Sequence, residues 1–587
     1  MKIFEANLSL LVIDFFKKNL NDSITIANAN EMLCDIAGFM SFFSKESELI
    51  ELKEKLSIAS LRIEEPDRIE YGDFQTNSEL ANKVASILNE RKINPEIVIE
   101  PTCGKGSFII ASLNKFPNVK HVIGIEIYKP YIWETKFAIL DFYLQNPNRN
   151  IAIIEIIHSN VFNFDFNKIS RQVKNKNFLI IGNPPWITNS QLGSLNSNNL
   201  PKKTNFKNQN GLDAMTGKGN FDIAEYITLS LFDAFQNESG FLALLVKNSV
   251  IKNVVLNQKS KQYRIGFIEK QCIDSKKEFN VSVKASLFFC KLNTKPEFQC
   301  NEFNFYTQIE SLRFGWLGDK FVSNTENYLH TQSFDGICAF EWRQGIKHDC
   351  SAVMELEKVN GHYKNNLNEK FDIEAGLVYG LLKSSDLKNS VIKITRKFTI
   401  VTQTKVGQET AYIKHQFPET YKYLNKHLPA FQSRKSSIYK GKPLFSIFGI
   451  GDYSFKPYKI AISGLYKTFH FTLVLPQNDK PVMLDDTCYF IGFEKIEYAV
   501  FAIILLNNLL TEEFLRSITF PDAKRVFTKD VLMRIDLYKL ALNSSKQYLD
   551  EQLEFMNNKY GLMIDLMLWN NFIKEMIPKK EAQMSLF

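Results

Sequence analysis

No two of the eight cysteines are spaced as Cys-x-x-Cys, and the eight histidines are equally scattered. That spacing argues against a structural zinc site or a disulfide framework and fits reduced thiols. The longest apolar run, YAVFAIILLNNLL, is too short to span a bilayer. The opening MKIFEANLSLLVIDFFKKNL carries Glu5 and Asp14 inside its apolar stretch and has no small-residue cleavage site. It reads as an amphipathic helix and not a secretion signal. No membrane partner is expected, and the location expected is the cytoplasm. Charge of one sign is in slight excess only: +8 over 587 residues permits an anionic partner without requiring one. Two phosphate cradles are missing, since the chain has neither Gly-x-Gly-x-x-Gly nor Gly-Lys-Ser/Thr. There is no internal repeat and no long low-complexity tract.

What is present points to more than one domain, because 587 residues exceed an ordinary single core. Residues 1–65 place apolar side chains at three- and four-residue spacing, as a helical extension does. The polar stretch RIEEPDRIEYGDFQT marks its end. From 66 to 292 the apolar strands EIVIEP, HVIGIEI, IAIIEII, FLIIG, FLALLV and SLFFCKL alternate with helical stretches such as ELANKVASILNER and YIWETKFAILDFYLQ. This alternation predicts an α/β domain with a mainly parallel sheet covered by helices on both faces. Residues 293–540 are richer in strand-like segments laden with Gly, Tyr, Phe and Lys, and read as an α+β domain. Residues 541–587 return to helix and end in a short tail.

Residues 180–187 read IIGNPPWI, with the chain's only doubled proline directly after a strand. Proline cannot donate to a sheet ladder, and the residue before it is held extended. Asn183 and Pro184 are therefore fixed at a strand end, where open α/β folds keep their ligands. Taken alone, this stretch is as easily a stiffened strand exit with a surface Trp. Earlier, VIEPTCGKGSF runs from a strand through Glu100 into a turn with Gly104 and Gly106. Glycine permits a tight turn and close approach of a ligand. About twenty residues on, VIGIEIY ends a second strand in Glu126, an acid placed to hold a ribose hydroxyl pair. A nucleoside-type ligand without a phosphate to cradle fits this set, and S-adenosylmethionine is one. A third strand ends in HSNVFNF, where Asn160 is either a contact to an adenine edge or a plain turn residue.

The order FQT, EPTCGKGSF, GIEIY, NVF and GNPPW resembles that of the S-adenosylmethionine-dependent DNA N6-adenine methyltransferases of restriction–modification systems. The resemblance spans about residues 70–292 and implies a Rossmann-like class I methyltransferase domain followed by a C-terminal target-recognition domain. By it, the catalytic motif falls on Asn183, Pro184, Pro185 and Trp186. The cofactor motifs fall on Phe74, Gln75, Thr76, Glu100, Cys103, Gly104, Gly106, Phe108 and Glu126, with Asn160 where an Asp is more usual. Trp186 and, in KKEFNVSVKASLFF, Phe279 are implied as the aromatics that stack on a flipped base. Trp stands where Tyr or Phe is commoner. No metal is implied.

The chemistry accounts for the motif. Adenine's exocyclic amine is a poor nucleophile because its lone pair is delocalised. The Asn183 side-chain oxygen and the Pro184 carbonyl can hold its two N–H groups and turn the lone pair towards a methyl donor. A base in a duplex must first be flipped out. The chain has no Pro-Cys dipeptide, which excludes the usual cytosine-C5 nucleophile, and the prolines follow Asn and not Ser, which favours adenine. The alternatives are an amino-methyltransferase of RNA or protein glutamine, and an inactive DNA-recognition subunit. Nearly 300 residues after the catalytic strands, with bases and aromatics interleaved in FQSRKSSIYKGKPLF and YSFKPYKIAISGLYK, favour double-stranded DNA as partner. The match PDAKR to a nuclease motif reads as chance. The aperiodic stretch 187–220 is expected to be a lid. The tail Gln583-Met584-Ser585-Leu586-Phe587 resembles the peptide by which bacterial DNA enzymes dock on the replication sliding clamp. A cognate restriction endonuclease and association with the nucleoid are the other expectations.

Overall fold

Short runs of Ile, Val and Leu build the strands of one sheet: β1 (Ile97–Glu100), β2 (His121–Glu126), β3 (Ile153–His158), β4 (Phe178–Gly182), β5 (Gly240–Lys247), β6 (Ile265–Cys272) and β7 (Ala285–Leu292). The computed structural model describes residues 8–21, 23–56, 74–188, 222–523 and 525–577. The chain divides into two units, 1–321 and 322–587.

In the first unit the strand order begins β3-β2-β1-β4-β5-β7-β6. The first five are parallel, and β7 runs antiparallel between β5 and β6. This is the mainly parallel Rossmann-like sheet expected from the sequence. β1 and β4 are buried at every residue, which is why they read as unbroken apolar runs. The chain passes from β1 outward through β2 to β3, then returns to β4 on the other side of β1. That reversal opens a crevice at the carboxyl ends of β1 and β4.

The helices are α1 (Leu10–Asn19), α2 (Ile26–Ala37), α3 (Glu46–Leu56), α4 (Ser78–Glu90), α5 (Ser107–Lys115), α6 (Lys129–Gln145), α7 (Asn167–Gln172), α8 (Ile223–Phe235), α9 (Asn248–Lys261) and α10 (Ser275–Phe279). α1 to α3 are not a separate extension. Phe16, Phe39, Phe42 and Phe43 are fully or almost fully buried in one core with Trp133 and Phe137 of α6. Phe39 also bridges to Ile154, so the chain after α2 adds to the sheet edge beyond β3. Lys136 of α6 is buried beneath this layer and donates to the Phe42 carbonyl at 2.6 Å. Burial pulls its ammonium down to about 8. Phe42→Ala is expected to cost about 3–5 kcal/mol, the usual penalty for emptying a packed aromatic site. Denaturant unfolding checks this; a loss below about 1 kcal/mol would make the layer peripheral.

The sheet also runs past the expected boundary at 292/293. β8 (Gln299–Asn304) pairs parallel to β6, and β9 (Glu310–Leu317) and β10 (Lys320–Val322) follow. The first unit runs past that boundary to Phe321, within β10. β6 and β8 hide from a one-strand reading because their polar residues are satisfied across strands. Lys270 of β6 pairs with Glu302 of β8 at 2.7 Å, and Arg91 pairs with Glu269.

The second unit is α+β. A five-stranded sheet has the order Arg343–Gln344, Cys488–Phe493, Tyr458–Ser463, Thr472–Val474, Val391–Ile392. A six-stranded sheet contains Glu355–Val359, Lys397–Ile400 and Val378–Leu382 at its centre. The final helix, Trp569–Met576, belongs to this unit and is not a separate segment, since Phe572 stacks on Phe340 with centroids 5.7 Å apart. Among the described residues no single helix is long and apolar enough to cross a membrane. Ile496–Leu506 and Leu509–Ile518 pass that test only together, with a 62° bend, and the first is core, its residues Tyr498 to Leu506 all buried.

Candidate active site

β1 ends in Glu100, and the turn after it carries two glycines in the left-handed region, Gly104 at φ 50° and Gly106 at φ 80°. They serve different ends. A Cβ on Gly104 would come within 2.8 Å of Gln75 Oε1, so the bare backbone lets the Gln75 side-chain amide lie on the turn. A Cβ on Gly106 would meet the Thr135 methyl at 2.9 Å, so this glycine seats α5 against α6. Gly106 does not line the crevice. The Lys105 N–H donates to Gln75 Oε1 at 3.3 Å, and the Ser107 hydroxyl donates to the Thr76 carbonyl at 2.7 Å.

Glu126, at the end of β2, has both oxygens oriented. Oε2 accepts from the Gly104 N–H at 2.9 Å and Oε1 from the Tyr128 N–H at 2.7 Å. Above these strand ends lies a cleft open to solvent. Phe74, Gln75, Thr76, Glu100, Cys103, Gly104, Phe108, Glu126, Asn160, Asn183 and Pro185 line it. The cleft thus gathers residues from 74 to 185. Asn160 lines it as a turn residue, its Oδ1 accepting from the Phe162 N–H at 3.0 Å. Sequence reasoning missed Thr102, Tyr128, Tyr131, Ser159 and Phe162 on its wall. Tyr128 follows the strand-end acid by two residues, and that position was the available signal.

Two carboxyls face each other's field here. Glu100 is almost wholly buried, and its Oε2 has no hydrogen-bond partner among the described residues. Burial above all, with the charge of Glu126 adding to it and the Ile109 N–H opposing, holds its carboxyl well above the usual range. Burial and the same acids push the Cys103 thiol up, so it stays protonated and is no nucleophile.

Asn183 follows β4. Its Nδ2 donates to the Phe74 carbonyl at 2.8 Å and to Thr76 Oγ1 at 3.2 Å. Both amide hydrogens are thus engaged, which leaves Oδ1 as the outward pole. That oxygen is buried and has no hydrogen-bond donor among the described residues. A buried acceptor without a donor is costly and calls for an explanation.

Trp186 is not an open platform. It is 6% exposed, its indole N–H donates to the Leu245 carbonyl at 3.1 Å, and it belongs to the main core. Phe74 lies 5.4 Å from its ring and Phe279 4.9 Å, edge to face. Neither Trp186 nor Phe279, nor Pro184, lines the cleft. Apolar rings this close shield each other from water, so the two expected stacking residues meet directly. Phe279 ends α10, and Tyr306, which follows β8, anchors that helix. The Tyr306 hydroxyl donates to Glu278 Oε1 at 2.6 Å and accepts from the Asp274 N–H at 3.3 Å.

From residue 189 the expected lid lies outside the described residues, as does the tail 583–587. The described residues on either side of the lid segment meet, the Ile223 N–H donating to the Ile187 carbonyl at 2.9 Å, and Asp222 pairs with Lys247 of β5 at 2.6 Å. Among the described residues no group of three His, Cys, Asp or Glu is placed to hold a metal ion.

Residues 65–359 match the N-6 DNA Methylase family. Over 479 residues the chain is 40% identical to the Type II methyltransferase M.NspV of Nostoc sp. (strain ATCC 29411 / PCC 7524), covering 81% of this chain and 98% of that protein. In structure it is similar to the Type IIL restriction-modification enzyme MmeI, solved in complex with DNA. That match has a TM-score of 0.51 at 11% identity and covers 92% of this chain and 74% of the other. At that identity it shows a shared fold.

Proposed function

The chain belongs to the N-6 DNA methylase family, and from that premise we propose that Asn183, Pro184, Pro185 and Trp186 form its catalytic motif, acting on a flipped-out adenine. It is an S-adenosylmethionine-dependent, adenine-specific DNA methyltransferase of the restriction–modification kind. The observation that carries the site assignment is the buried, undonated Oδ1 of Asn183.

That oxygen accepts one N–H of the adenine amine, and the Pro184 carbonyl accepts the other. The two acceptors pull the amine out of conjugation and aim its lone pair into the cleft. Once methylated, the nitrogen is a strongly acidic cation and gives one of its protons to solvent water, so the motif needs no side-chain base. Asn183 keeps its aim because Phe74 and Thr76 hold its NH2. The base takes the place of the contact between Trp186 and Phe279, and stacking on the two rings is worth about 1–3 kcal/mol per base.

The cleft fits S-adenosylmethionine, which when bound supplies an electrophilic methyl on a sulfonium. Glu126, already oriented by two backbone N–H groups, holds the ribose hydroxyls. Glu100, with an unpartnered oxygen, takes the cationic amino-acid end. Glu126→Ala is expected to weaken cofactor binding by about 1.5–3 kcal/mol, read by calorimetry. An unchanged affinity would put the ribose elsewhere.

The raised carboxyl of Glu100 gives a pH signature. A cation favours its ionised form, so across the pH window below the raised value binding releases a proton and affinity rises with pH. Calorimetry in buffers of different ionisation heat is expected to show proton release, abolished in Glu100→Gln. No release by the wild type would contradict the pairing.

The unit after residue 321 is the target-recognition part, a cognate endonuclease is the expected genetic partner, and the site of action is the nucleoid in the cytoplasm. For the tail, a peptide of residues 578–587 is expected to bind the host sliding clamp in fluorescence anisotropy, and a Leu586→Ala, Phe587→Ala peptide is not. Equal, negligible binding by both would remove that partner. The reading as a whole is tested by offering the purified chain labelled S-adenosylmethionine with duplex DNA, RNA or protein. Label is expected in duplex DNA, as N6-methyladenine; label only in RNA or in glutamine would overturn it.

A further inference from the structure

Two neighbouring loops of the second unit, 404–409 and 434–444, are held rigid at their base and bare at their tips. Gln403, fully buried, accepts from the Ile447 N–H at 2.8 Å and donates to the Gln408 carbonyl. The Thr402 hydroxyl donates to the Phe445 carbonyl at 2.7 Å, and Thr410 donates to that of Leu444. These bonds tie the first loop to the exit of the second. Within the second loop the Arg434 guanidinium lies 3.7 Å from the centre of the Tyr439 ring. It donates to the Ser446 carbonyl at 2.7 Å, and the Tyr439 hydroxyl to that of Lys347 at 3.2 Å. The one arginine and the one tyrosine of the pair are thus spent on scaffolding.

The tips carry another chemistry. Lys405, Lys435, Lys440 and Lys442 are exposed, and none makes an ion pair among the described residues. Glu409 is the sole acid on either loop. Beside the lysines stand exposed apolar side chains, Val406 at 48%, Ile438 at 37% and Leu444 at 51%. Four unneutralised ammonium groups on a braced ridge match a row of phosphates. Interspersed methyl groups match base edges such as the thymine methyl.

We propose that these two loops form the surface on which the second unit holds duplex DNA, with Lys405, Lys435, Lys440 and Lys442 on phosphates. The inference rests on the chain's being a DNA methylase and adds where the duplex is gripped. The test measures binding of the full-length protein to a labelled duplex over a salt series. Each phosphate contact contributes about 0.9 to the slope of log K against log salt. The variant K405A/K435A/K440A/K442A is expected to bind more weakly, with a slope smaller by about 3.6, while its cofactor affinity and melting temperature hold. K358A/K370A/K388A, which removes exposed lysines of the same unit off these loops, is expected to keep the wild-type slope. Unaltered DNA affinity and slope in the loop variant would overturn the proposal, as would an equal fall in the control. Methylation of the same duplex by the wild type reports separately on the catalytic reading.

Discussion

Asn183→Ala is expected to slow methyl transfer by about a hundred- to a thousandfold, the range seen when one preorganised hydrogen-bonding group is removed from a reacting centre. Cofactor affinity is expected to stay close to wild type, because Glu126 and Glu100 hold that ligand and neither bonds to Asn183. The reason is local geometry. Asn183 spends its NH2 on Phe74 and Thr76, so its sole contribution to a substrate is the Oδ1 acceptor, which alanine deletes. Asn183→Asp is a useful companion. It retains an acceptor but sets a second oxygen against the Phe74 carbonyl, 2.8 Å from the present amide nitrogen. Repulsion there misdirects the first oxygen, so Asp is expected to be nearly as slow as Ala. A labelled-methyl assay beside calorimetry reads both quantities. Near-normal turnover of the alanine variant would sink the mechanism.

The second large effect concerns where the chain can be cut. A protein ending at Phe321 is expected to fold and bind S-adenosylmethionine, yet to lose sequence-specific methylation. One ending at Leu292 is expected not to fold. The shorter cut strips β8 to β10 from β6, removes the Glu302 carboxylate that pairs with Lys270 and the Gln308 that Arg91 reaches, and removes the core residues Cys300 and Phe305. An open, unpaired strand edge also invites aggregation. It removes Tyr306 as well, and with it the anchor of the helix that ends in Phe279. Solubility, circular dichroism and calorimetry distinguish the two. A well-folded 1–292 fragment would restore the boundary expected from sequence, and site-specific methylation by 1–321 would refute the recognition role of the second unit.

Much of the site was legible because its residues sit at strand ends that announce themselves. β1, β2 and β4 are apolar without interruption, so Glu100, Glu126 and Asn183 could be placed at their carboxyl ends by counting. What stayed hidden depends on partners distant in sequence. Trp186 reads as an exposed stacking residue until the Leu245 carbonyl and Phe279 are brought against it. Gly106 reads like Gly104, and only the approach of Thr135 separates their roles. Residues 453–467 looked like a basic, aromatic surface, but Tyr458–Ser463 is a core strand whose Lys459 is buried and donates to the Lys456 carbonyl at 2.7 Å. The sibling stretch 431–445 does lie at the surface over most of its length. Alternation alone could not tell them apart, because both mix bases with aromatics.

The claim at the centre is that this chain methylates N6 of adenine at a defined DNA sequence through Asn183. It is tested most directly by mapping modified bases in DNA from cells expressing the full chain, beside cells expressing Asn183→Ala. The account predicts N6-methyladenine at one recurrent sequence in the first and none there in the second. Methylated cytosine, an unmodified genome in the first, or an identical map in both would contradict it.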